Sequence, residues 1–266
     1  MDGKHTMAYQ AVLLDIDGVL TVSWRALPGA VAAVAELRAA GYQVRFVTNT
    51  TSRARGVLSE TLTAAGFDVA PGEIITAAAA TAAFLRRAHP GARCYLLTSG
   101  DVEADFEGIT LTGQGEPAEV VVIGGAGGDF SHDALNYAFR LLQKGAPLVA
   151  MHRNLYWQTG DGLTLDAGGY ILALEQVSGA HATVIGKPAR AFFSEVLAEL
   201  GVPAANAVMI GDDIEADVQG AKDAGMTGVL VRTGKFRQAA LDQSATVPDA
   251  VLDSIVALPG WLRERR

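Results

Sequence analysis

Asp15 and Asp17 stand two residues apart, directly after the apolar run Ala11-Val-Leu-Leu14. Carboxylates this close repel one another unless a cation sits between them. A second acidic group, Gly211-Asp212-Asp213-Ile-Glu-Ala-Asp217, follows the apolar run Ala207–Ile210. Clustered hard oxygen donors suit magnesium, which takes a few carboxylates and keeps several waters. A hydroxyl and an amide, Thr48-Asn49, close a third apolar run, and a lysine in Gly186-Lys187-Pro188 closes a fourth. Each piece has an ordinary reading as well. Asp-x-Asp also makes turns with helix-capping acids, and Asp213 and Asp217, four apart, also complement a helix N-terminus. Thr48-Asn49 also caps helices, Pro188 also opens them, and a lone lysine is ordinarily solvated. The joint pattern, one polar group after each of four apolar runs, sets this chain apart.

The elements that carry these groups follow from periodicity. Ala11–Asp15 is continuously apolar up to its acid, as suits a parallel strand covered on both faces. A glycine-containing loop, Gly18 to Arg25, follows, and a helix opens at Pro28 and ends before Gly41. A strand at Gln43–Val47 and a helix near Arg53–Ala65 complete a β-α-β-α opening. The same rhythm returns with a helix at Phe192–Leu200, a strand at Ala207–Ile210, a helix at Ile214–Ala224 and a strand at Gly228–Val231. A closing helix is expected over Asp249–Leu258. Between the two halves lies a separate α/β pattern, with helices at Ala77–Ala88, His132–Gln143 and Gly169–Ser178. Strands are expected there at Arg93–Leu97, Glu119–Ile123 and Leu148–Met151. The fold class is therefore α/β, a doubly wound parallel sheet (Rossmann-like) with an inserted α/β unit. Residues 7–77 and 184–266 form the main domain and residues 78–183 the insertion. In such sheets, sites form at the carboxyl ends of strands, where all four polar groups fall.

Composition narrows the partners. The 266 residues are 50% hydrophobic and 19% charged, a globular balance with enough chain for two domains or one domain carrying a large insertion. A net charge of −8 argues against a broad basic face for nucleic acid. One cysteine, Cys94, permits neither an internal disulfide nor a multi-cysteine zinc site, and it reads as a buried strand residue. His5, His89, His132 and His181 lack metal-ligand spacing. The apolar-looking run Ile74–Leu85 is far shorter than the ~20 residues of a membrane span. A cytoplasmic protein without a membrane partner is expected, and Met7 is a candidate native start.

The motifs resemble those of the haloacid dehalogenase superfamily of phosphohydrolases. Asp15-x-Asp17-Gly-Val-Leu-Thr21 resembles its first motif, Thr48-Asn49 its second, Gly186-Lys187-Pro188 its third and Gly211-Asp212-Asp213-x-x-x-Asp217 its fourth. The insertion between the second and third motifs is similar to that of the NagD-like branch, whose α/β unit caps the site. Phe46-Val-Thr-Asn-Thr-Thr51, the Ala138–Leu142 helix, Ala173-Leu-Glu175, Val208–Asp213 and Thr233-Gly-Lys235 resemble the group of phospholysine phosphohistidine inorganic pyrophosphate phosphatase and its hydrolase-domain-containing relatives.

The resemblance implies a role for each residue. Asp15 is the nucleophile and forms an aspartyl-phosphate. Asp17 protonates the leaving oxygen and then deprotonates the attacking water. Magnesium is bound by the Asp15 carboxylate, the Asp17 backbone carbonyl and the Asp212 carboxylate. Thr48, Asn49 and Lys187 hold the phosphoryl oxygens. Asp213 and Asp217 orient the metal's waters from behind the direct ligands. The cap reads the leaving group, with His152, Tyr156 and Trp157 in a loop-like stretch and the Gly168-Gly169 turn as candidate contacts; ordinary cap packing is the stronger reading of the three side chains, and the glycines also read as a helix start. The expected substrate is a small phosphorylated molecule, and the expected assembly a monomer or homodimer. Two alternatives stand beside a phosphomonoesterase. The same machinery would cleave phosphohistidine, phospholysine or pyrophosphate. A phosphorylatable aspartate with threonine and lysine also describes a signalling or phosphate-binding module without turnover, although the general acid Asp17 and the large insertion oppose that reading.

Overall fold

The structure, a computed structural model, describes residues 9–159 and 162–265. His5 and the start at Met7 lie outside the described residues. The chain divides into two units: Met1–Thr48, Gly56–Ile75 and Arg190–Arg266 in the first, Asn49–Arg55 and Thr76–Ala189 in the second.

The first unit is built on a sheet in the order Ala250–Leu252, Thr227–Val231, Ala207–Gly211, Ala11–Asp15, Gln43–Thr48, Ile74–Thr76. Its central strands are fully buried because both faces are covered, which explains their unbroken apolar sequence. Ala11–Asp15 pairs in parallel with Ala207–Gly211 on one side and Gln43–Thr48 on the other. The chain grows outward from Ala11–Asp15 in one direction, then returns to that strand's other edge and grows in the opposite direction. The order therefore reverses beside Asp15, and that reversal leaves a crevice at the strands' carboxyl ends. Side chains such as Leu14, Phe46, Leu58, Phe67 and Ile210 fill the layer beneath. Each such burial contributes roughly 1.5–3 kcal/mol before chain entropy is counted.

The second unit has its own parallel sheet, ordered Thr183–Val184, Leu148–Ala150, Val120–Ile123, Arg93–Leu97, Thr110–Thr112. Its alanine-rich helix spans Ala77–Ala88, and Thr76 caps it by accepting the Ala79 N–H at 3.0 Å. Ser131 caps His132–Gln143 in the same way. Such caps stabilise a helix by about 1 kcal/mol each. Cys94 is buried in its strand, and burial pushes its thiol up to about 11, with Glu119 adding to the effect. Among the described residues no helix is long and apolar enough to cross a membrane.

His152 is buried in this unit beside Asp166, with Nε2 3.9 Å from Oδ2. Its Nδ1 accepts the Asn154 N–H at 3.2 Å. Burial lowers the imidazole below its ordinary 6.5, more than the Asp166 carboxylate raises it. The unfolded chain therefore takes up a proton in a pH range where the folded chain does not. The contribution of His152 to stability is complete above about pH 6.5 and is lost as the pH falls below that. The thermal midpoint is expected to drop between about pH 7 and about pH 5, and to drop less in His152→Gln. Thermal melts of both proteins across that range check this; equal slopes would refute it.

Several elements differ from the sequence expectation. Asp249–Leu258 is not one helix: Ala250–Leu252 adds to the sheet beside Thr227–Val231, and the closing helix is Leu258–Arg263. A three-residue apolar run carries no decisive period, so tertiary partners decide. Asp249 accepts the Gly228 N–H at 2.9 Å and pairs with Lys222 at 3.0 Å, which fixes the strand's entry. Part of the loop after Asp17 forms a short hairpin, Thr21–Val22 with Arg25–Ala26. Tyr156 and Trp157 lie in a hairpin strand, Tyr156–Thr159 paired with Gly162–Leu165, and not in a loop. The helix expected at Ile214–Ala224 begins as a wider π-type turn, Ile214–Gln219, before α geometry resumes at Gly220–Asp223.

Candidate active site

Asp15 is the last residue of the first strand, and its Cα is opposite Val47, one residue before Thr48. On the other side Leu14 is opposite Ile210, so the loop carrying Asp212 leaves one residue beyond that pair, after Gly211. Register alone thus brings Asp15, Thr48 and Asp212 to one rim of the first unit. All three are buried. Asp17 lies two residues past the strand and is exposed. Its loop is turned by Gly18, whose N–H donates to the Thr21 carbonyl at 2.7 Å.

The carboxylates of Asp15, Asp212 and Asp217 converge, each offering an oxygen within 4.8 Å of the others. Asp217 enters this group because Gly211 leaves room: a Cβ on Gly211 would lie 2.1 Å from the Asp217 Cβ. Asp217 Oδ2 also accepts the Asp213 N–H at 3.2 Å. Asp213 takes a different place. Its Oδ1 accepts the Glu215 and Ala216 N–H groups, both at 2.9 Å, so it caps the turn that carries Asp217. Three buried carboxylates are costly without a cation, and this hard all-oxygen donor set fits magnesium.

The sequence reading gave no role to Lys235, which the structure adds to this site. It sits on the loop after Thr227–Val231, and its backbone N–H donates to Asp212 Oδ2 at 2.6 Å. The loop is pinned by the Thr233 hydroxyl, which donates to the Gly18 carbonyl. Gly234, at φ +61°, fits where a Cβ would lie 2.0 Å from Asp212 Oδ2. Desolvation works against the Lys235 charge, but Asp15, Asp212, Asp217 and Asp213 more than offset it and hold the ammonium above its ordinary value. Lys235 thus supplies positive charge to the cluster before any metal binds. If a divalent ion occupies the cluster, removing Lys235 is expected to tighten its binding, because a nearby cation opposes the ion. A charge–charge term of order 1 kcal/mol in this partly solvated setting makes Lys235→Met bind magnesium about 5–10-fold more tightly. Calorimetric titration of the metal checks this; unchanged or weaker affinity would refute it.

Asn49 and Lys187 belong to the second unit, where they are hydrogen-bonded to one another. The Asn49 amide donates to the Lys187 carbonyl at 2.7 Å and accepts the Lys187 N–H at 2.8 Å. Lys187 is buried. His152 is buried as well, whereas Tyr156 is exposed. Gly168 is the second residue of the helix Ala167–Ser178, which Asp166 caps, and a Cβ on it would lie 2.5 Å from the Arg153 carbonyl oxygen. A packing requirement thus accounts for that glycine.

Comparison with known proteins gives the chain's family. Residues 12–112 match the family described as haloacid dehalogenase-like hydrolase, and residues 184–258 match a second family described as HAD-hydrolase-like. The chain is 44% identical to human haloacid dehalogenase-like hydrolase domain-containing protein 2 over 230 residues, 86% of each chain. It is 38% identical to human phospholysine phosphohistidine inorganic pyrophosphate phosphatase over 259 residues, 95% of this chain and 94% of that one. The solved p-nitrophenyl phosphatase from Archaeoglobus fulgidus superposes with a TM-score of 0.88 at 29% identity, covering 95% of this chain and 99% of that one. The converging carboxylates at the strand ends are thus those of a family member: this chain belongs to the haloacid dehalogenase-like hydrolases.

Proposed function

We propose that this hydrolase is a magnesium-dependent phosphatase that acts on a small phosphorylated metabolite in the cytoplasm. The observation that carries the reading is the convergence of Asp15 with Asp212 and Asp217 at the sheet's reversal point. Asp15, Asp212 and the Asp17 carbonyl would hold magnesium, with Asp217 beside them. Bound there, the metal would neutralise charge on carboxylate and phosphate, which otherwise repel.

The chain's own residues then divide the work. An Asp15 oxygen attacks phosphorus, forming the acyl-phosphate bond while the bond to the leaving oxygen breaks. Asp17, exposed on the adjoining loop, gives that oxygen its proton. In the second half, Asp17 takes a proton from water as the water oxygen bonds to phosphorus, and the Asp15 carboxylate leaves. Thr48 and Lys187 stabilise charge on the phosphoryl oxygens. Residues 78–183 serve as the cap that excludes water and selects the leaving group.

A second reading is hydrolysis of phosphohistidine, phospholysine or inorganic pyrophosphate. The 38% identity to a protein named for those activities supports it. One panel of phosphomonoesters, phosphoramidates and pyrophosphate, run with and without magnesium, tests both. Magnesium-dependent turnover is expected, and the preferred compound separates P–O from P–N chemistry. A stable phosphoryl-protein without turnover would instead support a signalling module. Sedimentation of the purified chain tests for a homodimer.

A further inference from the structure

Asn49 and Lys187 are 138 residues apart in sequence, yet their contact is reciprocal. A primary amide presents a donor and an acceptor side by side, so it can engage one residue's N–H and C=O as a neighbouring strand would. That is the arrangement here. The close approach depends on Gly186. A Cβ at that position would lie 2.2 Å from the Met151 carbonyl oxygen and 2.8 Å from Asn49 Oδ1. The Gly186 N–H donates to the same Met151 carbonyl at 2.8 Å. The backbone leading into Lys187 is therefore held on both sides, by the end of a strand and by the Asn49 amide.

Asn49 is itself carried on a fastened segment. Residues 49–55 lie along the second unit as a strap. The Ser52 carbonyl accepts the Asp101 N–H at 3.3 Å, and Gly100 packs so closely that a Cβ there would lie 2.5 Å from the Ser52 Cα. At the far end, Arg55 donates to the buried Asp105 carboxylate through Nε at 3.0 Å and through its backbone N–H at 3.2 Å. The Thr76 hydroxyl donates to the same carboxylate at 3.1 Å. The middle and the far end of the strap are thus anchored, and the amide is held in register.

We propose that Asn49 is a positioning residue: its side-chain amide fixes the Lys187 backbone, and so the direction from which the ammonium meets the phosphoryl oxygens, without binding phosphate itself. The inference rests on the phosphatase reading, in which Lys187 binds the transferred group. A displacement of about 1 Å in such a group can cost on the order of 100-fold in rate.

A double-mutant cycle with p-nitrophenyl phosphate tests it. The four proteins are wild type, Asn49→Ala, Lys187→Met and the double variant. Asn49→Ala is expected to lower kcat/KM about 10–100-fold in the wild-type background and less than about 3-fold beside Lys187→Met. An equal loss in both backgrounds would mean that Asn49 acts on the substrate directly, and would overturn the proposal. So would a silent Asn49→Ala in an active enzyme. If Lys187→Met leaves turnover intact, the role of Lys187 falls and the proposal with it. If no protein turns over, including wild type, the phosphatase reading fails; that result is separate from a failure of Asn49 alone. A purely structural role would instead lower the thermal midpoint equally in both backgrounds and give no coupling in kcat/KM. Should Asn49→Ala not fold, Asn49→Asp, which keeps the acceptor and loses the donor, replaces it in the cycle. Amide exchange of wild-type Lys187 adds an activity-free readout, with protection expected and exchange at the solvent rate overturning the proposal.

Discussion

Asp15→Asn is expected to abolish magnesium-dependent phosphatase turnover, by roughly 10⁴-fold or more, the scale seen when a nucleophile is removed from a catalytic unit. The variant keeps the size of the side chain at the end of a fully buried strand, so the fold should persist. It loses the anionic oxygen that must bond to phosphorus. It also takes one carboxylate out of the group of three, so magnesium should bind more weakly. Steady-state rates, together with a thermal melt showing a folded variant, check this. Turnover within tenfold of wild type would place the nucleophile elsewhere.

The second large effect is expected at Gly18. Its φ of +91° lies in the left-handed region, and an added Cβ would fall 1.9 Å from Asp212 Oδ2. The backbone term alone costs about 1–2 kcal/mol for a residue with a Cβ. The clash adds to it, because Asp212 Oδ2 is held by the Lys235 N–H and Gly234 packs on the other side. Relief requires moving either the Asp17 loop or a proposed metal ligand. Gly18→Ala should therefore lower kcat/KM at least about 100-fold and weaken magnesium binding, with a stability loss of about 2 kcal/mol or more. Rates, metal titration and denaturant unfolding check the three parts. Near-wild-type activity would show that the loop has slack the geometry does not suggest.

Much of this was legible in the sequence because it is local. An apolar run ending in an acid marks a buried parallel strand and its site end together: Ala11–Asp15 forms as expected, and the strand expected at Ala207–Ile210 runs one residue further, to Gly211. The alanine-rich helix Ala77–Ala88 and the helix His132–Gln143 match their expected bounds, since propensity, period and caps agree there. The differences come from nonlocal causes. Four-residue spacing set Asp213 and Asp217 on one helical face, but the segment winds as a wider turn, and Asp217 reaches the cluster while Asp213 caps. Lys235 was part of a recognised motif, but its closeness to Asp15 and Asp212 follows from the packing of Gly234 against Gly18. The pairing of Asn49 with Lys187 depends on two segments 138 residues apart and has no sequence period to announce it. The pairing of Tyr156–Thr159 with Gly162–Leu165 did have a signal, β-rich runs on either side of Gly160-Asp161 in the sequence.

In the proposed mechanism Asp15 carries the phosphoryl group during turnover. The most direct measurement is to quench the enzyme in acid during steady-state hydrolysis with magnesium and to map phosphorylation by peptide mass spectrometry. One phosphoryl group is expected on Asp15, forming and decaying at rates compatible with turnover, and none in Asp15→Asn. Turnover with no phosphoryl group on Asp15 at any time, or with the group on another residue, would contradict it.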